Sequence, residues 1–66
     1  MKGRTTELAR IGEKSLVMWE HEGGRKEYVV CSFYDGNKPI GSQWSWGHYF
    51  TDIFGAVDYI SVNAYK

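Results

Sequence analysis

Apolar and polar residues alternate with a period of two through much of the first fifty positions and with a period near 3.6 after them, so strands come first and a helix last. In residues 14–21 (KSLVMWEH), Leu16 and Met18 fall on one side and Val17 and Trp19 on the other, as successive strand side chains do. Residues 27–34 (EYVVCSFY) are rich in β-branched and aromatic side chains, a second strand signal. The EGGR stretch between them supplies two adjacent glycines, which reach positive φ cheaply and close a hairpin. Residues 5–11 (TTELARI) carry a weaker alternation that also suits a helical turn; they are read as a strand at a sheet edge.

After the turn signals of DGNKPIG, a further strand is expected from Ser42 to Phe50. Unbroken alternation there puts Trp44, Trp46, His48 and Phe50 on one face and Gln43, Ser45, Gly47 and Tyr49 on the other. Thr51 is then placed to cap a helix over 52–64, with Asp52 as a favourable charge in its first turn. Ile53, Val57, Ile60 and Ala64 form the apolar stripe of that helix, Val57 at its centre, with Phe54 and Ser61 beside it. Gly55 weakens the helix and is compatible with a close approach to a strand. The expectation is therefore a single α+β domain over 1–66, flexible at about 1–4, in which a three- or four-stranded antiparallel sheet carries one C-terminal helix on one face.

One helix covers one face. With Leu16, Met18, Val29, Cys31, Phe33, Trp44 and Trp46 assigned beneath it, the opposite face receives Val17, Trp19, Tyr28, Val30, Tyr34 and Tyr49. Such a band is more apolar surface than a small monomer commonly exposes, which nominates these six residues as an interface. A homodimer is the simplest partner, because it requires no second gene product; another protein, a docked N-terminal arm or a stacked ligand would also cover the band.

Composition sharpens this reading in two ways. Three Trp, five Tyr and three Phe in 66 residues offer large buried area to a short chain and also anchor protein interfaces. Eight basic residues balance eight acidic ones, which argues against strong electrostatic attraction to nucleic acid or anionic membrane. No apolar run approaches a membrane span, the start MKGRTTELAR holds no hydrophobic signal segment, and a single cysteine excludes an internal disulfide framework; a cytoplasmic location is expected.

Candidate chemistry is sparse. His21 and His48 fall on different faces and lack a third ligand, so neither a metal nor another cofactor is expected. Cys31 and His48, both assigned to the helix face, are the one conceivable nucleophile and base, yet no orienting group or oxyanion site accompanies them. Asp52 and Asp58 point apart on the helix, and neither GGR nor DGNKPIG has the pattern of a phosphate loop. No catalytic residue is assigned, and an enzyme is not expected.

The strands and helix of YVVCSFYDG and YFTDIFGAVDYI, within residues 27–60, resemble the small arm-site DNA-binding domains of phage-type integrases. The resemblance implies a sheet that enters the major groove, and hence a nucleic-acid-binding domain of mobile-element or phage type. Where such sheets carry basic and polar side chains, the face assigned here carries Val17, Trp19, Tyr28, Val30 and Tyr34. The favoured reading is a small soluble protein-interaction domain acting through an aromatic sheet face, with nucleic-acid binding as the alternative.

Overall fold

The structure, a computed structural model, describes residues 3–63. Four strands and one helix follow in chain order: β1 (Arg4–Ile11), β2 (Lys14–Glu20), β3 (Lys26–Ser32), β4 (Ser45–Phe50) and α1 (Ile53–Asn63). The strands form an antiparallel meander in the order β1-β2-β3-β4, with α1 packed against it, the α+β arrangement the alternation predicts. Of the start expected to be flexible, residues 1 and 2 lie outside the described residues and Arg4 already pairs with Glu20. Ala64, expected on the helix stripe, also lies outside them.

Short loops set the registers. Ile11 pairs with Lys14 across the two-residue turn Gly12-Glu13, and Gly12 takes the positive φ that the first position of a type II′ turn requires. Glu20 pairs with Lys26 across the loop of EGGR, closed by a bond from the His21 amide to the Arg25 carbonyl at 2.7 Å. This register places Leu16 opposite Val30 and Val17 opposite Val29. Residues directly opposed in an antiparallel pair share a face, so β3 has the opposite phase to the one expected from its sequence. Tyr28 and Val30 turn toward the helix, while Val29 and Cys31 turn away.

The helix face is built on Leu16, Val30, Ala56 and Ile60, with Ile11, Tyr28, Phe50 and Tyr59 around them. Each fully buried aliphatic side chain of this kind is worth about 1.5–3 kcal/mol. The inward residues of α1 correct the expected stripe: Ala56 and Ile60 are buried, whereas Val57 is 43 % exposed. Small residues explain the rotation. A Cβ added at Gly55 would lie 3.3 Å from Cδ2 of Phe50, so α1 runs close to β4, and Ala56 fits a gap that leaves little room for a larger side chain. The Asp52 carbonyl accepts the first helical bond, from the Ala56 amide at 3.3 Å, which puts Asp52 rather than Thr51 at the N-cap.

The second face is also a core. Val17, Val29 and Cys31 are fully buried there, packed by Trp19, Tyr34 and Trp44. Tyr34 and Trp44 belong to the connection between β3 and β4. It spans residues 33–44, longer than the seven-residue loop expected, because β3 ends at Ser32 rather than Tyr34 and β4 begins at Ser45 rather than Ser42. Among the described residues no helix is long and apolar enough to cross a membrane.

Candidate aromatic interface

Two local irregularities decide which side chains meet on the second face. Ser45 pairs with Ser32 and His48 with Val30, so Trp46 and Gly47 together oppose Cys31 in a β-bulge. The extra residue breaks the alternation expected across 42–50: His48 and Phe50 pack toward the helix, whereas Trp44 lies with Tyr49 on the opposite face. Trp46 shares neither arrangement and stands 78 % exposed. The second irregularity is Phe33, whose φ of 58° turns the chain and folds the connection back over the sheet.

The connection holds its own shape. The Asn37 amide donates to Oδ1 of Asp35, and the Lys38 amide donates to the Asp35 carbonyl, an Asx-type turn. A second turn closes from the Ser42 amide to the Pro39 carbonyl, with Gly41 at φ 104°. The Asp35 amide donates to the Gln43 carbonyl at 2.7 Å, tying the two ends together.

Thr5 on β1 joins this segment to the sheet. Its hydroxyl donates to Oε1 of Gln43 at 2.7 Å, so the Tyr34 hydroxyl, 3.0 Å away, is the donor in the other bond. Gln43 is buried and donates its amide to the Gly36 carbonyl at 3.3 Å. Arg10 reaches the Tyr34 carbonyl at 3.3 Å. The same Arg10 donates to Glu7, which also accepts the Ser15 hydroxyl. The Ser15 bond foremost, with Arg10, holds the Glu7 carboxyl below its ordinary range against the opposing effect of burial.

Aromatic rings spread across the top of this face. The Trp44 indole meets Trp19 edge-on at 5.6 Å, lies 6.4 Å from Tyr34 and 6.2 Å from Tyr49, and donates Nε1–H to the Tyr49 hydroxyl at 3.0 Å. Gly47 makes room for it: a Cβ there would sit 2.8 Å from the Trp44 Nε1. His21 stacks on Trp19 at 4.2 Å and hydrogen-bonds Glu27 at 2.6 Å. Tyr49 is 52 % exposed.

The six nominated interface residues are thus divided. Val17, Trp19, Tyr34 and Tyr49 share the second face, but Val17 is fully buried in the cluster that Trp19, Tyr34 and Trp44 pack upon. Tyr28 and Val30 belong to the helix face, where Val30 is buried. Cys31 and His48, expected together, lie on opposite faces and form no nucleophilic pair.

Sequence reasoning missed Phe33 and Trp46 as solvent-facing groups. Both take left-handed φ, 58° and 57°, and they are the non-glycine residues to do so among those described. Each flanks the Ser32–Ser45 pair, and Phe33 is 61 % exposed. A left-handed residue with a Cβ costs roughly 1–2 kcal/mol, which neither ring recovers by burial here. The visible signal was Gly47: glycine inside a strand pattern marks a bulge.

Among the described residues there is no enclosed cavity and no group of three or more metal-ligating side chains, so the site is an open aromatic surface. Searches with the chain against protein-family models, curated proteins and solved structures find no match.

Proposed function

We propose that the chain is a small protein-interaction domain whose contact surface is the part of β4 that carries the exposed rings of Trp46 and Tyr49, and that it binds a second copy of itself. The observation that carries this reading is Trp46: an indole left in water at a bulge position that glycine would occupy without strain. A partner laid along β4 would bury that ring and Tyr49, and aromatic anchors of this type often dominate interface energetics. A net charge of zero leaves little long-range repulsion between copies. Bases of a single strand would also stack on such rings, but that mode draws on a positive groove, and the basic residues here are matched one for one by acids.

Light scattering over a concentration series tests the proposal. The native chain should dimerise in the micromolar range, and Trp46→Ser combined with Tyr49→Ser should remain monomeric with its fold intact. A native chain that stays monomeric at high micromolar concentration removes self-association. Titration with single- and double-stranded oligonucleotides at ~50 mM salt addresses the rival class, since binding that fades steeply with added salt would favour nucleic acid.

A further inference from the structure

We infer that residues 34–45 form a hinged strap, latched to β1 through Thr5, that swings off the second face as a unit, releases the terminal Ser32–Ser45 pair and uncovers Val17, Val29 and Cys31 while the rest of the sheet and α1 stay folded. This inference is independent of what the aromatic patch binds.

Three observations converge on it. The first is the position of the two left-handed residues: Phe33 and Trp46 bracket the segment. Their conformations are a cost carried by the closed state and released when φ relaxes, which is the property of a hinge under tension. Both rings already stand in solvent, so neither has to leave a packed site when the backbone turns. The second is internal coherence. The turns at 35–38 and 39–42 and the bond between Asp35 and Gln43 let the segment move without losing its own hydrogen bonds. The third is the nature of the attachment. Beyond the terminal ladder pair Ser32–Ser45, which opens with the strap, side chains hold it to the sheet: Thr5 to Tyr34 and Gln43, Arg10 to the Tyr34 carbonyl, and Trp44 to Tyr49. Beneath the strap lie three fully buried residues, and on the far side of the sheet α1 rests on β2, β3 and β4 through a separate cluster. Opening therefore exposes the one cluster and leaves the other in place.

Cys31 is a built-in reporter, since Tyr34 and Trp44 of the strap pack on its cluster. The experiment is labelling of the full chain with a chromogenic aromatic disulfide at pH 8 over a series of urea concentrations, with helix circular dichroism following global unfolding alongside. At low urea the labelling rate should depend on urea far more weakly than global unfolding does, and the two slopes should merge near the global midpoint. Thr5→Val, which unlatches Tyr34 and Gln43, should raise the low-urea rate about tenfold without steepening its slope. Trp46→Gly, which relaxes one hinge in the closed state, should lower it severalfold. Labelling that follows global unfolding with the full slope at every urea concentration would overturn the strap, because Cys31 would then be reached through whole-molecule unfolding. Labelling at the rate of an unfolded thiol in water would overturn it equally, since the segment would not be closed.

Discussion

Burial governs the chemistry of Cys31. Removal from water, with the Glu7 carboxylate adding to it, pushes the thiol up to about 11 from its ordinary 9.0. A thiol so placed is a poor nucleophile at neutral pH, which accords with its loss of His48 as a neighbour. The same shift makes a statement about stability. The group's folded value is raised, so its contribution is complete below pH 9 and is lost as pH rises toward 11, where the unfolded chain gains a thiolate that the folded chain resists. Urea midpoints measured between pH 9 and 11 should fall with a slope of up to about 1.4 kcal/mol per pH unit from this group, and Cys31→Ala should flatten that fall. An identical alkaline slope in the variant would mean that the tyrosines account for all of it.

The helix shows how close packing overrides a hydrophobicity ranking. Val57 outranks Ala56 in apolar area, yet the approach of α1 to β4 at Gly55 selects the smaller side chain for the interface and leaves Val57 on the rim. Ala56→Asp should therefore lose more than about 3 kcal/mol or unfold the chain, since it places a charge against Leu16 and Val30, whereas Val57→Asp should cost no more than about 1 kcal/mol. Thermal melts of the two variants rank them; the reverse order would mean that the helix is rotated relative to this docking. Helix existence and approximate span were legible from periodicity. Its rotation was not, because a stripe 100° wide can be drawn through Ile53, Val57 and Ile60 or through Ile53, Ala56 and Ile60, and only the opposing surface decides.

For the whole molecule, the order of strands and their antiparallel pairing followed from turn residues and short loops, and both survive intact in the meander. The faces were harder to read. Phase passes from strand to strand through register, and register depends on loop conformations that residue types do not specify. Tyr28 and Val30 were misassigned for that reason, and Trp44 and Trp46 because a bulge adds one residue to the count. The bareness of the second face was an inference from counting helices; a connection of twelve residues lays Tyr34 and Trp44 over it beside Trp19 of β2. The bulge also gives this strand slack in its length. Every pair from Tyr28–Phe50 to Ser32–Ser45 forms without Trp46, which the ladder accommodates as a supernumerary residue. A chain shortened by Trp46 alone should fold with the same pairs and give nearly unchanged backbone chemical shifts at His48, Tyr49 and Phe50. Loss of His48 instead also removes the bulge, but it puts Gly47 opposite Val30 and deletes the ring that packs on Tyr59, so that chain should fold with a lower melting temperature. A one-residue shortening of this strand thus costs least at the position that holds an indole out into solvent.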